Sequence, residues 1–187
     1  MLYLASRSPR RKALLRRTGR PFRVVPSSFH ESIRRAESPS ANAMRNAAGK
    51  AEKARLPKGA RGVVIGADTF LYFRGRIIGK PRHRREARRF LRRLSGRAHW
   101  VYTGLCLRHV PGGRQQVSYA KTKVTFRTLS DEFIGAFHSR IDPLDKAGAY
   151  AIQGDRGRLI ARVDGSLTNV IGLPMELLRR ELKRVGS

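Results

Sequence analysis

The sequence predicts an α/β fold, a mixed twisted sheet with flanking helices. Three observations carry that expectation. Short apolar runs alternate with helix-period stripes along most of the chain. Ser-Pro pairs or single serines stand where helices should begin. Two long runs in the middle meet at Pro111-Gly112-Gly113, which adds a hairpin to a sheet otherwise fed by helices.

In chain order, Leu2 to Ala5 reads as a short buried strand. Ser8 caps the helix that follows, Pro9 takes its first position, Ala13, Leu14 and Leu15 supply apolar contacts, and Gly19 stops it. Phe22 to Val25 is a second strand. Ser38-Pro39 opens a helix carrying Ala43, Met44, Ala47, Ala48 and Ala51. Val63 to Asp68 is a buried strand ending in a carboxylate. Phe70 to Phe73 and Arg76 to Ile78 form hairpin arms around Arg74-Gly75. Ala87, Phe90, Leu91 and Leu94 recur at helical spacing and give one apolar stripe on an arginine-rich helix. Trp100 to Val110 and Gln116 to Phe126 are long strands. Ser130 caps a helix with Phe133, Ile134 and Phe137; Leu159 to Val163 and Thr168 to Ile171 read as strands, and a last helix starts at Pro174, its apolar pattern putting Glu181 at a solvent-facing position. No internal repeat or low-complexity linker interrupts residues 1–187, so they read as a single domain.

The composition sets limits. No apolar stretch approaches the ~20 residues of a membrane-spanning helix, and the start places apolar residues before basic ones, the reverse of a secretory signal. Cys106 is the one cysteine, which excludes a disulfide framework and a cysteine metal site. The expectation is a cytoplasmic protein with no membrane partner. Lys and Arg total 41 against 13 Asp and Glu, a formal charge of +28. That charge fits either a polyanion partner or a solvated arginine coat, and by itself names no function. On the arginine-rich helix the apolar stripe with charged flanks is what any surface helix shows.

Three segments carry candidate chemistry. In Leu4 to Arg11 a strand runs into small hydroxyl residues and a helix N-terminus, whose open N–H groups and nearby arginines suit phosphate; an ordinary capped helix accounts for the same residues. Asp68-Thr69 closes an apolar strand, where a carboxylate can hold a divalent metal, orient water, or simply cap a turn. Lys80, after Ile78-Gly79, can neutralise a phosphate or merely solvate its loop. In Asp142 to Gly154 small residues crowd Asp145, Lys146 and Gln153; the Gln153 amide suits a base edge, and a tight structural loop explains the pattern equally. Together these make an anion cradle, a carboxylate, single lysines and a base-reading amide, which is what cleavage between nucleotide phosphates requires. No Walker-type Gly-Lys-Ser/Thr loop occurs.

Leu4-Ala5-Ser6-Arg7-Ser8-Pro9-Arg10-Arg11 closely resembles the opening of the Maf family of nucleotide pyrophosphatases, once known as septum-formation inhibitors. Gly66 to Thr69, Ile78 to Pro81, Ser95 to His99, Asp145 to Tyr150 and Asn169 to Pro174 match its later blocks in order and spacing. The resemblance implies a two-lobed fold related to the inosine-triphosphate pyrophosphatases, with a central cleft, and usually a homodimer. It implies a nucleoside triphosphate substrate and a divalent cation, Mg²⁺ or Mn²⁺. By position it makes Asp68 the proton acceptor, and Ser6, Arg11, Lys50, Lys80 and Lys146 polar groups lining the cleft. Glu31 falls at a metal-associated carboxylate, with Asp68 its companion. Arg10, Thr69 and Gln153 match the positions that mark the dTTP/UTP branch, which yields the monophosphate and pyrophosphate. Three residues depart from the pattern: Arg7 for a small residue, Gly49 where relatives often carry Glu, and Asp142 for Glu. Two other functions compete: a nucleic-acid-binding protein and a cell-division regulator. Arginines spread over nearly every helix, and phenylalanines set within apolar runs, speak against specific nucleic-acid recognition.

Overall fold

The computed structural model describes residues 1–153 and 157–185. Seven strands hydrogen-bond in the order β2-β1-β3-β5-β6-β7, with β4 on β3: β1 is Leu2–Leu4, β2 Phe22–Val24, β3 Gly62–Phe73, β4 Arg76–Ile78, β5 Ala98–Val110, β6 Gln115–Phe126 and β7 Ile160–Asp164. The six helices are α1 Pro9–Arg16, α2 Pro39–Glu52, α3 Arg84–Leu94, α4 Asp131–Arg140, α5 Leu167–Ile171 and α6 Met175–Val185. The α/β class is thus as the sequence predicts, and the sheet is mixed: β1 pairs in parallel with β2 and β3, while β4 on β3 and β7 on β6 are antiparallel.

The chain forms two compact units. The first comprises Met1–Thr69, Tyr102–Ala120 and Thr168–Ser187; the second, Phe70–Val101 and Lys121–Leu167. In the first unit both sheet faces are buried, and period two assigns each side chain. Leu2, Leu4, Ile65, Ala67, Leu105 and Leu107 lie on one face with Leu14 and Leu15 of α1 and Leu177, Leu178 and Leu182 of α6. Tyr3, Ala5, Val64 and Cys106 lie on the other, against Ala47 and Ala51 of α2. Burial pushes the Cys106 thiol up to about 12, so it packs as a small apolar group. Two glycines let α2 approach. A Cβ on Gly66 would fall 2.1 Å from the Ala47 carbonyl oxygen, and one on Gly104 2.1 Å from that of Ala43.

In the second unit β4 folds back on β3 with Phe73 opposite Arg76; Arg74 and Gly75 both have positive φ, as a two-residue hairpin turn demands. Ala87, Leu91 and Leu94 of α3 are buried, its arginines are largely exposed, and α3 packs on α4. His99, Phe126 and Tyr150 meet edge to face. His99 Nε2 and the Tyr150 hydroxyl share a hydrogen bond at 2.9 Å, and burial lowers the His99 pKa to about 4.

Four expectations are corrected. Asp68 does not end its strand, because β3 runs on to Phe73 in one piece. What ends is its neighbour: β1 stops at Leu4, and the Ala5 N–H bonding Ile65 O is the last rung, so Asp68 lies past the parallel pairing. Thr168 to Ile171 is helical, not extended, closed by N–H groups of Gly172 and Leu173 on the Thr168 carbonyl. Ala13 is exposed on α1. Glu181, placed by its helical pattern toward solvent, is buried and held by Gln116, Arg180 and Arg184. No helix among the described residues is long and apolar enough to cross a membrane.

Candidate active site

Strand parity sets the first unit's polar centre. Gly66 and Asp68 share the face of Val64, the face that α2 covers. On α2, Asn46 and Lys50 lie four residues apart beside Ala47 and Ala51, so the stripe that packs the helix also carries two polar groups to the sheet. Lys50 Nζ lies 2.7 Å from Asp68 Oδ1 and donates to the Ala67 carbonyl at 3.2 Å. Asn46 Nδ2 donates to Asp68 Oδ2 at 2.8 Å. Burial alone would raise the Asp68 pKa. The charges of Lys50 and Arg11, with hydrogen bonds from Lys50 and Asn46, outweigh it and hold the carboxyl below its ordinary value.

Glu31 joins through the same lysine, its Oε1 2.5 Å from Lys50 Nζ. Its loop is bound to α2 at both ends. Ser28 N–H bonds the Lys53 carbonyl and Arg55 N–H the Pro26 carbonyl. At the other end Asn42 Nδ2 donates to the carbonyls of Arg34, Glu37 and Ser38. Gly49 now has a physical reason. A Cβ there would lie 2.2 Å from the Phe29 ring, so Phe29 fills the space that the relatives' Glu would need.

Arg11 forms the second half of the centre. Its Nε donates to Gly172 O at 2.7 Å, Nη1 to Ser6 Oγ at 3.3 Å and Nη2 to Thr69 Oγ1 at 3.1 Å. Thr69 Oγ1 also lies 3.0 Å from Thr103 Oγ1, and Thr103 donates to the Asn169 carbonyl. Burial lowers the Arg11 pKa, countered by Asp68 and Glu31, yet a guanidinium keeps its charge in proteins. Three of its five N–H groups are used on those partners, which leaves two. Gly172, at φ 119, passes close to this fork. Ser8 caps α1 by accepting from Arg11 N–H, and Ser6 Oγ accepts from Ser8 N–H at 3.2 Å.

Of the residues singled out in the sequence, Ser6, Arg11 and Thr69 are thus joined in one set and Glu31, Lys50 and Asp68 in another, and the two meet at the neighbours Asp68 and Thr69 and through the charge of Arg11 on Asp68. Arg10 is half-buried on α1. The other three belong to the second unit. Lys80 is exposed after β4, and the Gly148 N–H bonds the Gly79 carbonyl beside it. Lys146 Nζ donates to the Asp142 carbonyl at 2.7 Å and pairs with Asp145. Asp142, the departure from Glu, caps this turn by accepting from Leu144 N–H. Gln153 is exposed in a turn, and Gly154 lies outside the described residues.

Two residues escaped the sequence reading, Asn46 and Thr103. A polar residue within an alanine stripe was the signal for Asn46, since a buried amide needs partners. For a metal, no group of three or more His, Cys, Asp or Glu is poised to hold an ion among the described residues. Two carboxylates, Glu31 and Asp68, do converge on the Lys50 ammonium. That pair has the oxygen chemistry a hard cation takes, but with the Lys50 ammonium between them the two carboxylates do not make a closed protein cage.

Residues 1–185 match the Maf family, described as Maf-like protein. The chain belongs to that family. It is similar to the dTTP/UTP pyrophosphatase of Moorella thermoacetica, 45% identical over 176 residues, covering 93% of this chain and 89% of the relative. Similar too are the dTTP/UTP pyrophosphatases of Thermococcus gammatolerans, 45% identical over 100% of this chain and 97% of the relative, and of Caldicellulosiruptor bescii, 42% identical over 99% and 94%.

Proposed function

We propose that this Maf-family chain is a hydrolase of nucleoside triphosphates that cleaves dTTP and UTP to the monophosphate and pyrophosphate. The single observation that carries this reading is the buried network in which Asp68 is held ionised between Lys50 and Asn46, with Arg11 close by. The name shared by full-length relatives at 40–45% identity supports the substrate.

Water attacks the phosphorus next to the sugar, and its proton passes to an Asp68 oxygen. The bond from that phosphorus to the bridging oxygen breaks, and pyrophosphate leaves with the electron pair. Asp68 is an acceptor at neutral pH because its neighbours keep it charged; the same neighbours weaken it as a base. Glu31 and Asp68 would hold a divalent cation, which supplies charge neutralisation on the phosphates and a more acidic water. Arg11 offers its remaining donors to phosphate oxygens, pre-aimed by Gly172, Ser6 and Thr69. Lys80 and Lys146 add positive charge toward the leaving group. Arg10, Thr69 and Gln153 select the pyrimidine, with the Gln153 amide matching the O4 and N3–H edge shared by thymine and uracil. The active species is a homodimer, which sedimentation would test.

A panel of purified triphosphates with Mg²⁺ or Mn²⁺, scored separately for pyrophosphate and orthophosphate, tests the reading. The expected result is pyrophosphate from dTTP and UTP at least about tenfold faster than from GTP. Orthophosphate as the first product, or GTP as the best substrate, contradicts it.

A further inference from the structure

We propose that Asn46 is a positioning residue for hydrolysis: its amide fixes the rotation of the Asp68 carboxylate and joins that carboxylate to the loop bearing Glu31. The inference rests on Asp68 as the proton acceptor.

Asn46 is 2% exposed and belongs to the alanine stripe that packs α2 on the sheet. Alanine would fill such a place at lower cost, since Asn is the poorer helix former by roughly half a kcal/mol and brings a polar group into the core. The amide is bonded at both its nitrogen and its oxygen, and its orientation follows from its partners. A carboxylate only accepts, so the NH₂ must face Asp68, at 2.8 Å. The carbonyl oxygen faces donors, Arg45 Nη1 at 3.1 Å and Ser32 N–H at 3.4 Å. Arg45 also donates to Ser32 Oγ and Ser32 O at 3.0 Å and to Glu37 at 2.9 Å. Ser32 follows Glu31 directly. One side chain therefore touches the carboxylate on one side and the neighbour of Glu31 on the other.

The consequence for chemistry is geometric. Lys50 takes Oδ1 and Asn46 takes Oδ2, one helical turn apart on α2. Clamped at both oxygens, the carboxylate cannot rotate, and the acceptor direction left on each oxygen is fixed. Lys50 alone would permit a swing about its single contact. Misplacing a reacting group by about 1 Å costs on the order of 10²-fold. The groups facing Asp68 are Lys50 and Asn46 from α2 and Arg11 from α1, with Glu31 beyond Lys50.

Asn46→Leu and Asn46→Asp test this, with melting curves confirming the fold. Asp keeps an acceptor for Ser32 and Arg45 but has no amide donor for Asp68, so a role confined to tethering the loop would survive in it. The proposal expects both variants to lose about tenfold or more in kcat with KM within about twofold. Should Leu not fold, Asp alone decides. A folded Asn46→Asp protein with unchanged kcat overturns the proposal. Near-normal turnover in a folded Asp68→Asn protein means that Asp68 is not the base, and removes the proposal together with the reading beneath it.

Discussion

Two ion pairs in this molecule have the same length and opposite meanings. In the first unit Lys50 meets Asp68 at 2.7 Å with both side chains about a tenth exposed or less; in the second, Arg92 meets Asp131 at 2.7 Å with both more than half exposed. Water screens the second pair, and its long side chains lose rotamer freedom in holding it. Removing Lys50 from the first leaves the buried Asp68 carboxylate without the cation that pairs with it. Distance is therefore a poor guide to which charges matter in a chain of +28, and burial is a good one. Most of the arginines belong with Arg92; Arg11 belongs with Lys50.

The sharpest way to break this comparison is Lys50→Met. Asp68 would lose its largest compensating charge while keeping Asn46 and Arg11, and stability at neutral pH should fall by about 4 kcal/mol. Urea titration measures it; a loss near zero would place Asp68 in wetter surroundings than its burial implies.

A neutral buried group gives the next effect. The folded pKa of His99 is about 4, below its ordinary 6.5. The unfolded chain therefore takes up a proton before the folded one, and stability present above pH 6.5 is lost as pH falls toward 4, by roughly 3 kcal/mol in full. His99→Phe should flatten that slope in urea midpoints taken from pH 7 to 4. An unchanged slope would assign the acid loss to other groups, His138 first, since burial lowers its pKa too.

Smaller still is Gly49→Glu, which restores the residue common among relatives. The new side chain meets the Phe29 ring, and overpacking costs about 2 kcal/mol. Turnover should drop as well, because Phe29 and Glu31 share a loop. Gain of stability in a melting curve would show that Phe29 moves aside freely. Arg92→Ala anchors the other end of the scale: the melting temperature in moderate salt should not move measurably.

The sequence showed some of this directly and hid the rest for reasons that can be named. Ser8-Pro9, Ser38-Pro39 and Ser130 announce α1, α2 and α4, because capping is a local interaction written in neighbouring residues. The α3 stripe and the Arg74-Gly75 hairpin are local too. Thr168 to Ile171 misled because its β-branched residues favour strands, whereas three non-local contacts decide its state. Thr103 donates to the Asn169 carbonyl, Arg11 to Gly172, and Met175 N–H to the Thr168 hydroxyl seven residues back. Glu181 misled because a helical pattern gives the face of a residue and not what folds over it. Apart from Asn46, the residues of the Asp68 network were legible one by one through the family resemblance. Their joining was not, because it depends on the close approach of α2 to the sheet at Gly66 of β3 and Gly104 of β5.

The most direct measurement is the turnover of dTTP by Asp68→Asn. Asparagine keeps the shape and loses both the charge and the ability to accept a proton, and general-base assistance is worth roughly 10²–10⁴-fold. The account predicts a folded protein, shown by its circular dichroism melt, that still binds nucleotide and releases pyrophosphate at least about a hundredfold more slowly than wild type. Pyrophosphate release within about threefold of wild type from a folded Asp68→Asn protein would contradict the account and pass the role of base to Glu31 or Asp145.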